Sequence, residues 1–181
     1  MSIINKNKIK KISINSVLLA MGLIFSYIDY LLPIKFLSFG IKIGLSNIII
    51  ILSIFLVGKK SAFLIGLLKV IIMSIFFGNF IYFCLSLFPF LTSFITMCII
   101  YDNFLLKYKN DKTILIMSIP AAILHNLTQV FIIAIITKNH YLFRVIPLFI
   151  IEGAVSGCVI AGVTVFIFRF LCKSLKSKQF I

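Results

Sequence analysis

Acidic residues are scarce in this chain. Only Asp29, Asp102, Asp111 and Glu152 occur among 181 residues, and charged residues of all kinds make up 12%, against roughly 25% in an ordinary globular protein. That scarcity excludes a soluble enzyme and a charge-rich disordered tail. The four acids are too scattered to form an Asp-rich pair for magnesium diphosphate. No H-E-x-x-H, P-loop or G-x-S-x-G is present either. Cys84, Cys98, Cys158 and Cys172 lack C-x-x-C spacing and lie in or beside apolar runs, so neither a disulfide nor a metal is inferred. No catalytic residue, metal or cofactor is expected. The chain has no room for a nucleotide-binding domain, so any ATP-driven step must be supplied by other chains.

Apolar residues are abundant instead. They make up 62% of the sequence, and the mean hydropathy is +1.21. A soluble fold, typically about 45–50% apolar, could not hide that much. The expected class is an all-α, polytopic membrane protein. Its charge of +14 falls in short clusters between hydrophobic runs, and no nucleic-acid motif accompanies it. The clusters read as topogenic, and nucleic acid is not an expected partner.

A membrane helix needs roughly 20 apolar residues. The runs predict helices near 12–32, 43–57, 61–77, 80–100, 113–136 and 145–170, with Pro33 as a stop and Gly78-Asn79 as a break. Pro89 is a competing break or a kink inside the fourth helix. The short 43–57 run would leave five spans if it is only re-entrant. One membrane domain, 12–172, is expected between a basic N-terminus, 1–11, and a basic C-terminus, 173–181. The N-terminal run lacks an A-x-A-type cleavage site and reads as a retained helix. With six helices and the N-terminus inside, thirteen Lys and Arg fall on inner segments. Four fall outside: Lys35, Lys42, Lys138 and Arg144. Both termini are therefore expected in the cytoplasm of a cell-membrane protein.

Charges inside a span are costly, by at least ~2.5–3.5 kcal/mol near its centre. Asp29, Lys69 and Glu152 are therefore informative. Asn47, His125, Asn126 and Gln129 join them in the outer half and middle of the bilayer. His125 and Gln129 share a helix face, with Asn126 flanking it. This layer fits a polar pocket opened from outside. Interhelical hydrogen bonding accounts for any single member equally well, and Lys69 could bridge to Glu152 or Asp29. Small residues mark packing faces: Gly153, Gly157 and Ala161 on helix six, and Ser16, Ala20, Gly22 and Ser26 on helix one.

Several stretches together resemble one family. They are Phe25-Ser-Tyr-Ile-Asp29-Tyr-Leu-Leu-Pro33, Gly40-Ile-Lys42-Ile-Gly44-Leu-Ser-Asn47, Leu67-Leu-Lys69-Val with Phe77-Gly78, Ala122-Ile-Leu-His125-Asn126-Leu-Thr-Gln129, and Glu152-Gly153-Ala-Val-Ser-Gly157. Over roughly 9–172 the chain resembles heptaprenyl diphosphate synthase component I, also called the Gx transporter family. It carries Asp29 where that pattern has Glu and Lys69 where it has Arg, which keeps the charge but loses the bidentate fork. The resemblance implies a six-helix fold like the substrate-binding, or S, components of energy-coupling factor transporters. It implies capture of a vitamin-like small molecule from outside, with a transmembrane coupling subunit and two ATPase subunits as partners. Ser16, Ala20, Gly22 and Ser26 would then meet the coupling subunit. In that reading the loop 33–42 is a lid, Lys42 and Asn47 stand at its mouth, and Lys69, His125, Gln129 and Glu152 line the pocket. Lys69 would suit an anionic ligand, Glu152 a cationic one. The family's older name implies instead an accessory role in polyprenyl diphosphate synthesis for menaquinone. A small ion-coupled carrier using Glu152 and His125 is a third possibility.

Overall fold

The computed structural model describes residues 3–31, 44–77, 80–105 and 111–177. Among them all regular structure is helical: α1 (Ile3–Leu31), α2 (Asn47–Val57), α3 (Lys59–Phe77), α4 (Phe80–Leu105), α5 (Asp111–Thr137) and α6 (Ile146–Ser177), with a 3-10 turn at His140–Val145. Five stretches are long and apolar enough to cross a membrane: Lys8–Leu31, Lys59–Phe77, Phe80–Asn103, Asp111–Thr137 and His140–Leu171. The chain is a multi-pass membrane protein.

The exception is α2. Its 11 residues span about 16 Å, short of a hydrocarbon core ~30 Å thick. Asn47 through Ile54 are all buried. A helix apolar on every side belongs inside a bundle, and α2 supplies the centre of the core. Ile48 to Leu52 pack with Val70 of α3, Phe90 and Phe94 of α4, Met117 of α5 and Ile160 of α6. Both ends turn on glycine in the left-handed region, Gly44 at φ 80° and Gly58 at φ 88°. Gly58 alone separates α2 from α3.

Helix α5 packs most extensively on α6 and then on α4. The α6 stripe explains the first contact. A Cβ added to Gly153 would stand 2.7 Å from Ile123 Cα, and one on Gly157 would stand 2.7 Å from Ile119 Cα. The two backbones thus touch. Ser118 Oγ donates to the Gly157 carbonyl at 2.8 Å, and Ala161 is fully buried beside them. Pro89 does not break α4, which runs through it.

Two ion pairs mark one end of the bundle, Lys59 with Asp102 and Arg169 with Asp111. Lys10 and Lys11 flank a surface recess there with Leu56 and Val57. At the opposite end an aromatic stack joins α1, α3 and α4, with Tyr30 and Phe77 ring centroids 3.7 Å apart and Phe77 and Tyr82 5.3 Å apart.

Helix boundaries differ from the hydropathy runs where polar residues continue a helix. The first helix begins at Ile3 rather than 12 because the lysine-rich run before it contains no glycine or proline to stop it. The sixth continues to Ser177 for the same reason. Conversely, α2 begins at Asn47 rather than 43, because Gly44 turns the chain first. The expected break at Gly78-Asn79 lies outside the described residues.

Candidate functional site

An early start for α2 would have placed its N-terminus at the bundle's end; the late start buries it. The orphan N–H groups of a buried helix end need partners. The turn supplies some: Asn47 N–H donates to the Gly44 carbonyl at 2.8 Å, and Ile48 N–H to that of Leu45 at 3.1 Å. Ser46 N–H reaches across to α1 and donates to Asp29 Oδ2 at 3.3 Å. A carboxylate at a helix N-terminus also favours the helix dipole. Ser46 is bound a second time, from α3, where Lys69 Nζ donates to its Oγ at 2.8 Å. Asp29 and Lys69 thus converge on one residue. The lysine stem reaches this point over Gly22, whose added Cβ would lie 3.7 Å from Lys69 Cδ.

Around this centre lies a narrow cavity of about 40 Å³, lined in part by Asp29, Ser46, Lys69, Tyr82, His125 and Gln129. At ~10–15 Å³ for each water, that is room for no more than a few water molecules. Gln129 Nε2 donates to His125 Nε2 at 3.3 Å across one turn of α5. Gln129 Oε1 is buried with no hydrogen-bond partner. Ser26 and Ser86 add hydroxyls; Val70, Met73 and Phe90 add apolar wall. A larger cleft of about 440 Å³ between α4, α5 and α6 is almost wholly apolar. Its two hydroxyls, Thr92 and Thr128, are bonded to each other at 3.0 Å. The polar cavity is therefore the site where ligand chemistry is concentrated.

The expected polar layer divides. Asp29, Lys69, His125 and Gln129 line one cavity, and Lys69 is joined to Asp29 through Ser46 rather than to Glu152. Asn47 is buried beside Gly44 but is not part of the cavity wall. Asn126 and Glu152 are also absent from that wall. Asn126 is on the side of α5 that meets α6, one turn from Ala122, which packs against Gly157. Glu152 is half-buried on α6. Asn126 Nδ2 and Glu152 Oε2 are both buried without a hydrogen-bond partner. Lys42 and the loop 33–42 lie outside the described residues.

The four small residues expected to form one face of α1 also divide. Ser16 and Ala20 are exposed, but Gly22 and Ser26 are buried. Gly22 faces Ile49 and Lys69, and Ser26 lines the cavity. At about 100° per residue the two pairs point well apart. Gly22 and Ser26 are therefore covered by the chain's own helices. The residues missed from sequence are Ser46, Tyr82 and Ser86. The Gly44-Leu-Ser-Asn47 run before the apolar stretch is a helix-start signal that would have placed Ser46, but the expected helix from 43 ran through it. Tyr82 and Ser86 carried no signal distinct from the surrounding Phe-rich segment.

Comparison with curated proteins and with solved structures returns no match. The blocks that carry Asp29, Lys69, His125 and Gln129 nevertheless fall inside a match to one family's sequence model, covering residues 18–168. That is most of the chain, and it belongs to the family described as heptaprenyl diphosphate synthase component I.

Proposed function

We propose that this protein is the substrate-capture subunit of an energy-coupling-factor type transporter. It takes up a vitamin-like small molecule from outside the cell and performs no chemistry of its own. Two ATPase subunits and a transmembrane coupling subunit would supply the energy. The observation that carries this reading is the placement of the polar cavity. Asp29 lies near the last residue of α1, Ser46 at the start of α2, and Tyr82 near the start of α4. All are remote from the end holding Lys59 and Arg169. If the positive-inside bias sets orientation, that end is cytoplasmic and the cavity opens outward. The cavity walls must part to admit a molecule of vitamin size, because ligand sites are typically ~300–1,000 Å³. The exposed Ser16 and Ala20 offer a close-approach face on α1 for the coupling subunit.

The test is gentle purification of the full chain from its own host's membranes, followed by native mass spectrometry. Co-purified ATPases and a bound small molecule are expected. A soluble polyprenyl synthase in their place would sink the transport reading. A second reading rests on the family's description: a membrane accessory subunit of heptaprenyl diphosphate synthesis. It requires the partner synthase to lose activity when this chain is removed.

A further inference from the structure

We infer that the group recognised in the Asp29–Lys69 cavity is electrically neutral and hydrogen-bonding, such as an amide, imide or hydroxyl, and that carboxylates and phosphates are rejected there. The inference rests on the capture reading above and names the ligand class.

Among the described residues lining the cavity there is one ammonium, Lys69, and one carboxylate, Asp29. Both are tied to Ser46, one through its hydroxyl at 2.8 Å and the other through its N–H at 3.3 Å. An anion that reaches Lys69 therefore also meets Asp29. The two charges largely cancel for a ligand that meets both, so the pair offers an anion little net attraction to offset the hydration it loses on entry. A diphosphate brings more than one negative charge to a single lysine already in use. Strong phosphate sites instead use forked arginines or several cations. Glu152 does not line the cavity, and its carboxyl adds no positive charge. A cationic ligand meets the same obstacle, since Lys69 offsets the attraction of Asp29.

Gln129 carries the unpartnered group of this wall. Gln129 is 4% exposed, and its Oε1 is buried without a partner while Nε2 is engaged by His125. An unsatisfied buried acceptor is costly, and a ligand N–H or O–H would satisfy it. Ser26, Ser86 and Tyr82 complete a wall of uncharged hydrogen-bonding groups, with Phe90 and Met73 giving it an apolar side.

The experiment uses the full chain in mild detergent and a pair of probes matched in size but not in charge, acetamide and acetate, with inorganic pyrophosphate as a third. Ligand-observed NMR reads contact with each. Acetamide is expected to bind and to lose at least about tenfold in affinity in Gln129→Leu. Acetate and pyrophosphate are expected to give no saturable signal with the unaltered chain. Asp29→Asn, which leaves Lys69 uncompensated, should acquire acetate binding. Gln129→Lys, which adds a cation without touching the Asp29–Ser46 bond, should do the same and decides the matter if Asp29→Asn does not fold. Acetate or pyrophosphate binding that disappears in Lys69→Met overturns the inference. So does a folded chain that takes neither acetamide nor acetate. ATPase co-purification is read separately. Its absence with acetamide selectivity intact refutes the capture role alone; acetate selectivity with ATPases present refutes the ligand assignment alone.

Discussion

The α5–α6 seam makes the most quantitative prediction. Replacing Gly157 with Ala adds one methyl group 2.7 Å from Ile119 Cα and 3.2 Å from the Ser118 carbonyl. Carbon atoms rest at about 3.5–4.0 Å, so the helices must part by about 1 Å. Backbone atoms cannot rotate aside as a side-chain tip can. Such overpacking costs about 1–3 kcal/mol. Parting the helices also stretches the Ser118–Gly157 hydrogen bond from 2.8 Å, a bond of a kind worth on average about 0.6 kcal/mol between membrane helices. The sum is about 1.5–3.5 kcal/mol. Gly153→Ala meets Ile123 Cα at 2.7 Å and should cost about as much through sterics alone. The double variant should cost less than the sum, because a seam already opened by the first methyl has space for the second. Reversible unfolding in lipid bicelles measures all three. If Gly157→Ala leaves stability within ~0.5 kcal/mol of the parent, or the two costs add fully, the contact is not the rigid one described.

Other perturbations separate the cavity from its scaffold. Lys69→Met removes the bond to Ser46 and should abolish ligand binding, while the far-ultraviolet helical signal is retained; unchanged affinity would make Lys69 purely structural. Gly66→Ala would place its methyl 2.2 Å from the buried Phe90 ring, so a loss of about 1–3 kcal/mol is expected on thermal or denaturant unfolding. Ala20→Phe should reduce recovery of the coupling subunit in pull-downs and leave the melting temperature of the isolated chain unchanged. Gly22→Phe should lower that melting temperature, because its ring collides with Ile49 and Lys69. Equal behaviour of these two variants would contradict the division of α1 into an outer and an inner face.

Much of the bundle was legible because hydropathy and length report directly on the membrane. The five long spans follow from apolar runs, and Gly153 and Gly157 announced a close helix contact by spacing. Position along a helix axis was legible too, since each residue adds a fixed rise. Azimuth was not. Asn126 and Glu152 lie at a depth comparable to His125 and Gln129, yet only the latter pair line the cavity. The same blindness grouped Ser16 and Ala20 with Gly22 and Ser26. Hydropathy separates a span's faces poorly when lipid and protein interior are both apolar. Ser46 escaped notice because a serine is cheap anywhere; its importance comes from α2 starting inside the bundle, which only the fold reveals.

The burial of α2 has a consequence for biogenesis. A helix about 16 Å long with most of its surface covered by protein has no stable state of its own in lipid. The one-residue corner at Gly58 lets α2 enter the bilayer leaning on α3, as a hairpin. Its remaining sides stay uncovered until α4, α5 and α6 have been synthesised and close around it. A nascent chain arrested after Phe77 should therefore expose Ser53 to a water-soluble thiol reagent when it is replaced by cysteine, and the full-length chain should not. Equal protection at both lengths would mean that α2 needs only α1 and α3. The order in which this protein leaves the ribosome thus sets when its polar cavity first exists: not when Asp29, Ser46 and Lys69 have been made, but when α5 brings His125 and Gln129 to close the wall.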